Sequence, residues 1–236
     1  MVERWMRPRH PLRFLKTDLF EEAFGSDSIL FDVPLGDGCA VGMDLAEATA
    51  AAARSNGSPA RFSFLVTDVR ALGLRDDSFE VVLSNSTLDH FGTKAELLAA
   101  LGELVRVVKP SGQLIVTLDN PWNPFYHVLR WATRLKGGPY FLGYTASRPQ
   151  LSAWLEDLGM EIVDDAWLIH NPRLVSTLLF LGLRKVLGEA ADAPIRALLR
   201  LFALFGHLPT APLTACFSAV CARKPADAAS GLAQAG

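Results

Sequence analysis

Asp44, Asp68 and the pair Asp89–His90 are the residues of this chain best suited to chemistry. Each follows an apolar run: Ala40-Val-Gly-Met43 leads into Asp44, Phe64-Leu-Val-Thr67 into Asp68, and Phe79-Glu-Val-Val-Leu-Ser84-Asn85 into Thr87-Leu-Asp89-His90. An ionised carboxylate offers only acceptors, so Asp44 and Asp68 can each fix hydroxyl or amino groups of a polar ligand. A histidine, with an unperturbed pKa of about 6.5, can exchange a proton near neutrality, so His90 is the candidate general base. Asp89 would orient it or act in its place. Each residue has a plainer use. Acids between a strand and a helix often cap the helix, and His90 could pack under its own loop.

These positions depend on the elements that carry them. Apolar runs alternate with segments of helical period, which predicts βαβ units and a mainly parallel sheet. The strand candidates are Arg13–Thr17, Ala40–Met43, Phe62–Val66, Glu80–Ser84 and Gln113–Leu118. A helix is predicted from Leu45 to Ser55, stopped at Asn56-Gly57. Another runs from Lys94 to Val108, with Leu97, Leu98, Leu101, Leu104, Val105 and Val108 on one face and Pro110 and Gly112 beyond its end. In such a sheet, ligands bind beyond the carboxyl ends of the strands. Asp44, Asp68 and Ser84-Asn85 fall there. Asp119-Asn120-Pro121 after the fifth strand reads either as part of the site or as a turn.

Beyond Asn120 the pattern changes. Pro121, Pro124, Gly137, Gly138 and Pro139 divide the chain into short pieces, among which lie Trp122, Phe125, Tyr126, Trp131, Tyr140, Phe141 and Tyr144. These aromatics suit an apolar or planar ligand, or pack against one another as a cap. A helix is predicted at Arg148–Leu158 and strands at Glu161–Ile169 and Thr214–Ala222. Two apolar helices, Leu174–Leu187 and Ile195–Leu208, are too short to span a bilayer and contain arginine. The expected organisation is one domain over residues 1–224, with cap or substrate-region helices within 121–212, and a disordered tail over 225–236.

The bulk properties exclude several classes. Half of the 236 residues are apolar and a fifth are charged, the net charge is −2 and the pI about 6.2, so no nucleic-acid partner is indicated. Cys39, Cys216 and Cys221 have no metal-ligand spacing and suit a reducing compartment, so no metal is expected and the cytoplasm is. No apolar run follows the basic N-terminus, so no secretory leader is expected.

The succession Phe64-Leu-Val-Thr-Asp68-Val69, Phe79 to Phe91, and Leu104 to Thr117 resembles the class I S-adenosylmethionine-dependent methyltransferases. The resemblance covers Leu12 to Thr117 and, more loosely, the closing strand. It implies an α/β, Rossmann-like, doubly wound and mainly parallel seven-stranded sheet, with helices on both faces and a helical cap. It also implies S-adenosylmethionine as cofactor. Asp44, with Leu45 beside it, would take the ribose hydroxyls. Asp68 would take the adenine amino group, with the backbone N–H of Val69 facing a ring nitrogen. Ser84, Asn85 and the loop to Phe91 would lie beside the reacting methyl group. The first loop departs from the family pattern of D-x-G-x-G-x-G, in which glycine lets the backbone approach the cofactor. Here it reads Lys16-Thr-Asp18-Leu-Phe-Glu21-Glu22-Ala-Phe-Gly25, with one late glycine. Gly36-Asp37-Gly38 lies too close to the second strand to precede a crossover helix and reads as a turn. In place of glycine contacts, Lys16 could pair with a cofactor carboxylate, and Asp18 or Glu21 with its ammonium group.

The expected function is methyl transfer to a small, apolar or aromatic metabolite. The alternative is a methyltransferase-like scaffold or binding module that has lost catalysis. A Rossmann oxidoreductase is disfavoured because the first turn lacks G-x-G-x-x-G. The expected partner is a small-molecule methyl acceptor. The late arginine-flanked helices would suit either contact with anionic lipid or, more commonly, a cap or homodimer interface.

Overall fold

A computed structural model describes residues 5, 12–25, 28–57, 60–133, 142–170 and 173–226. Strand β1 (Arg13–Thr17) leads through the short helices α1 (Phe20–Phe24) and α2 (Ile29–Asp32) to β2 (Cys39–Asp44). Then follow α3 (Glu47–Asn56), β3 (Phe62–Val66), β4 (Phe79–Asn85), α4 (Lys94–Val107) and β5 (Val108–Asp119). The rest comprises α5 (Pro124–Thr133), α6 (Arg148–Asp157), β6 (Glu161–Leu168), α7 (Arg173–Leu187), α8 (Asp192–Ala203), α9 (Ala211–Thr214) and β7 (Phe217–Arg223). The strands form one seven-stranded sheet in the order β3-β2-β1-β4-β5-β7-β6. Strands β1 to β5 pair in parallel, and β7 lies antiparallel between β5 and β6. Strand order reverses between β1 and β4, which places the ligand crevice at their carboxyl ends.

Alternation along the strands splits the apolar residues between two cores. Val82, Leu114 and Val116 point to the face covered by Leu97, Leu101 and Leu104 of α4 and Leu151 and Leu155 of α6. Phe14, Leu83 and Ile115 point to the other, where Leu19, Leu30, Ala50 and Ala53 pack. Central parallel strands covered on both faces read as unbroken apolar runs, which is why they are visible in the sequence.

Several boundaries differ from the sequence reading, each for a local reason. Helix α3 starts at Glu47 rather than Leu45, because the Asp44 carboxylate accepts the Ala46 N–H at 2.8 Å and holds the chain in a turn. Strand β5 starts at Val108, directly after α4, and passes Ser111 in a left-handed conformation (φ 62°) before its regular pairing. The final strand begins at Phe217, since Ala211–Thr214 forms a helical turn with Pro212 in its first turn, where a missing N–H costs nothing. The second late helix ends at Ala203 and continues as a 3₁₀ turn over Leu204–His207. The N-terminal residues before Leu12 other than Trp5, the stretch from Gly137 to Phe141 and the tail beyond residue 226 lie outside the described residues.

The first crossover is built around a buried charge pair. Lys16 Nζ lies 2.7 Å from Glu22 Oε2, with the two side chains 1% and 0% exposed. Glu22 Oε1 accepts the Leu30 N–H at 3.0 Å and the Ser28 hydroxyl at 3.2 Å. Asn56 Nδ2 donates to the Glu22 and Ala23 carbonyls, closing the end of α1 against α3. Glu22 thus joins β1, α1 and α2. Beneath it, a Cβ at Gly42 would lie 2.5 Å from Leu19 and 2.8 Å from Leu30, so only glycine lets this layer sit on β2. Removing one member of a buried, hydrogen-bonded pair strands the other charge. Glu22→Gln should destabilise the chain by about 3–5 kcal/mol. In urea denaturation the paired Lys16→Met/Glu22→Leu variant should recover only part of that loss, because the Leu30 N–H stays orphaned.

Candidate functional site

At the carboxyl end of β1 the chain turns through Asp18, whose φ is 65°. This is the left-handed region that glycine usually supplies, and aspartate tolerates it because its side chain can bond its own loop. Asp18 Oδ1 accepts the Phe20 N–H at 2.7 Å. The next residue, Leu19, donates its N–H to Asp44 Oδ2 at 3.0 Å, tying the first loop to the end of β2. The glycine-poor loop therefore keeps the sharp turn.

Two cavities open beyond the strands. The smaller, about 190 Å³, is bordered by Asp18, Asp44, Leu45, Asp68, Val69, Phe91 and His90. The larger, about 570 Å³, is bordered by Lys16, Asp18, Asn85 and His90 on one side and by apolar Leu168, Ile169 and Phe217 on another. Asp18 and His90 border both, marking where the cavities meet.

The smaller cavity gathers most of the residues singled out in the sequence. Asp44 uses one lone pair on each oxygen, for Leu19 and Ala46. A carboxylate has about four acceptor sites, so a ligand diol can still be received. Holding the turn before α3 and receiving a ligand are compatible here. Asp68 accepts the Arg70 N–H at 2.9 Å and is gripped by the Arg70 guanidinium, with Nη2 at 2.6 Å from Oδ2. That hydrogen-bonded guanidinium holds the Asp68 carboxyl below its usual range. Arg70 also reaches Glu96 at 2.5 Å and lies over the Phe91 ring at 5.0 Å, bracing the cavity wall. Arg70 and Phe91 were not singled out by the sequence reading. Phe91 closes the quoted motif, but nothing in the order of residues shows that Arg70 stacks on it.

At the junction, burial pushes the Asp18 carboxyl up. The Phe20 N–H and the Lys16 ammonium oppose that shift, and the nearby Asp44 adds to it. His90 is exposed at the end of a 3₁₀ turn over Leu88–His90. That turn is held from behind, where Gly143 donates to the Asp89 carbonyl at 2.8 Å and Tyr144 to the Phe91 carbonyl at 2.6 Å. A Cβ at Gly143 would fall 2.0 Å from the Phe91 oxygen, so the close approach requires glycine.

Three of the singled-out residues sit differently from their expected roles. The Lys16 ammonium is already engaged by Glu22 and by the Asp18 carbonyl at 2.6 Å, so it supports the loop from below while bordering the larger cavity. Asp89 is 2% exposed, and its Oδ2 accepts the Asp119 N–H at 2.8 Å, which fastens the turn to β5. A carboxylate buried in that way is a structural tie. Ser84 is buried and accepts from the Thr17 hydroxyl at 3.1 Å, linking β1 to β4 without bordering either cavity. Asn85 does border the larger one, oriented by the Thr117 hydroxyl at 2.9 Å. Asp119 and Asn120 are buried, with Asn120 Nδ2 donating to the Pro212 and Ala215 carbonyls. Among the described residues no cluster of potential metal ligands occurs.

Known proteins resemble this arrangement. Residues 24–116 match the family described as "Methyltransferase domain", a stretch that begins just after the atypical first loop and ends in β5. A human protein named "Probable tRNA methyltransferase 9B" is 34% identical over 76 residues, 32% of this chain; the match spans only 16% of that relative's length. A solved S-adenosylmethionine-dependent methyltransferase from Methanosarcina mazei superposes with a TM-score of 0.62 at 13% identity, covering 96% of this chain and 97% of that one. The structure of the [4+2]-cyclase SpnF superposes with a TM-score of 0.55 at 20% identity, covering 91% of this chain and 75% of that one. Over nearly its whole length the chain shares the fold of solved proteins of the S-adenosylmethionine-dependent methyltransferase class, and residues 24–116 also match the methyltransferase-domain family in sequence. The cofactor of that class fits the residues present: acids at the ends of β2 and β3, with Leu45, Val69 and Phe91 offering apolar walls for a planar base.

The turn at Asp18 makes a direct test of the rewritten loop. Alanine in a left-handed conformation costs about 1–2 kcal/mol, whereas glycine is free of that penalty. Asp18→Ala should therefore lower stability in urea denaturation more than Asp18→Gly.

Proposed function

We propose that this chain transfers a methyl group from S-adenosylmethionine to a small acceptor with an apolar or aromatic body. The observation that carries this reading is the pair of cavities meeting at Asp18 and His90. In it, the adenosine part occupies the smaller cavity. Asp44 receives the ribose hydroxyls, Asp68 the adenine amino group and the Val69 backbone a ring nitrogen. Asp18 and Glu21, both on the wall of the larger cavity, take the ammonium end. S-adenosylmethionine supplies a methyl group already activated by its sulfonium, so the chain's task is to position the acceptor and handle a proton.

His90 serves that second task. It stands at the junction, exposed, on a turn fixed by Gly143 and Tyr144. It would accept the acceptor's proton as the new bond to the methyl carbon forms. Leu168, Ile169 and Phe217 support an acceptor that is largely apolar. Free thiols at Cys39, Cys216 and Cys221 fit a reducing compartment, and with it a cytoplasmic enzyme.

A second reading, a binding module without catalysis, draws on the first loop, where the Lys16 ammonium is committed to Glu22. Calorimetry separates the two. S-adenosylhomocysteine should bind the native chain with measurable heat, and Asp44→Ala should weaken it about tenfold or more, the cost of a lost charge-assisted hydrogen-bond pair. No heat with the native chain would overturn the enzyme reading. For His90→Ala, product formation from a competent acceptor should fall by about 10²–10⁴-fold while S-adenosylhomocysteine affinity is kept. An unchanged rate would remove the base assignment.

A further inference from the structure

Helix α8 buries none of its residues, although its sequence is strongly amphipathic. Ile195, Leu198, Leu199, Leu201 and Phe202 fall on one side at helical spacing, and Arg196 and Arg200 fall on the other. Leu201 is 52% exposed, and Leu204 beyond the helix end is 58% exposed. In α7, Leu181 and Val186 are likewise exposed. The apolar surface extends across to α5: Trp122 packs on Trp167 with ring centroids 5.7 Å apart, and Trp167 shares a cavity with Leu199 and Phe202 of α8. Phe125 and Trp131 of α5 are exposed beside it in the chain. A surface helix normally hides its apolar stripe, and none of this one is buried.

Charge selects what covers it. Residues 173–214 contain Arg173, Arg184, Lys185, Arg196 and Arg200 against only Glu189 and Asp192, in a chain whose net charge is −2. Arg184 is held by Asp192 at 3.1 Å, while Arg196 and Arg200 lie exposed along the flank of α8. That local excess of positive charge complements an anionic surface. No helix among the described residues is long and apolar enough to cross a membrane, so the geometry suits a helix lying in the interface plane.

We propose that α7 and α8 dock this protein on the surface of an anionic lipid membrane, with the apolar face of α8 in the acyl boundary and Arg196 and Arg200 at the headgroups. Trp122, stacked on Trp167 beside that face, is of the residue type favoured at such interfaces. The docking face adjoins the larger site cavity. Ile169 borders both that cavity and the one beneath α8, and it is a β-branched residue held at φ 55°. An acceptor dissolved in lipid would therefore meet the site from this side.

The test is co-sedimentation of the full chain with large unilamellar vesicles, without methyl donor. Vesicles of phosphatidylcholine containing roughly 30% phosphatidylglycerol should bind the chain about tenfold more tightly than phosphatidylcholine alone, and about 0.5 M salt should remove most of the difference. The Leu201→Glu/Leu204→Glu variant should stay in the supernatant with an unchanged thermal melt, and Arg196→Glu/Arg200→Glu should lose the preference for anionic vesicles. Absence of sedimentation overturns the proposal. So does sedimentation that the leucine substitutions leave intact, or a dimer in analytical ultracentrifugation that those substitutions dissolve, which would make a second copy the occupant. None of these outcomes depends on S-adenosylhomocysteine binding, so the two readings fail separately.

Discussion

The ion pair between Lys16 and Glu22 governs the candidate site, because it stands where glycine loops usually give a ligand room. An ammonium and a carboxylate taken out of water must satisfy each other, and here they do so with further hydrogen bonds donated by Ser28 and Leu30 to Glu22 and one from Lys16 accepted by the Asp18 carbonyl. The pair draws α1 back under β1 and fixes the path of the chain on either side of Asp18. Leu19 can then reach Asp44, which connects the first loop to the second strand. A loop without early glycines thus reaches a tight turn by burying a charge pair below it and placing an aspartate at positive φ above.

The same logic runs through the rest of the site. Polar side chains that look available in the sequence are divided between holding the frame and facing the cavities. Asp89 fastens the loop after β4 to β5, and Ser84 fastens β4 itself to β1. Asp44, Asp68 and His90 remain on the cavity walls. Asp68 keeps its charge because Arg70 grips it, whereas Asp18 at the junction is pushed toward the neutral form by burial. Neighbouring carboxylates therefore meet a ligand with different proton affinities.

The architecture also separates fold from chemistry. A methyltransferase and a [4+2]-cyclase both superpose on this chain at low identity, so the sheet alone does not choose the reaction. What is particular to this chain lies in the atypical first loop and in the helices after β6.

The sequence made the strands legible through apolar runs such as Val81-Val82-Leu83 in β4 and Leu114-Ile115-Val116 in β5, which bury both faces of a parallel sheet. It located β1 and β3 to the residue and placed Asp44 and Asp68 at strand ends. It also placed the turn at Gly36-Asp37-Gly38, where Gly36 adopts φ 58°. Boundaries set by side-chain hydrogen bonds, such as the start of α3 beyond Asp44, were not legible, since they depend on where a carboxylate points. Nor were the partners of charged residues. Whether Lys16 faces a ligand or Glu22, and whether Asp89 faces His90's side of the turn or the backbone of β5, depends on contacts between segments brought together only by folding. Residue type fixed which groups could do chemistry; tertiary structure decided which were left facing the cavities, because burial obliges every other polar group to find its partner inside the protein.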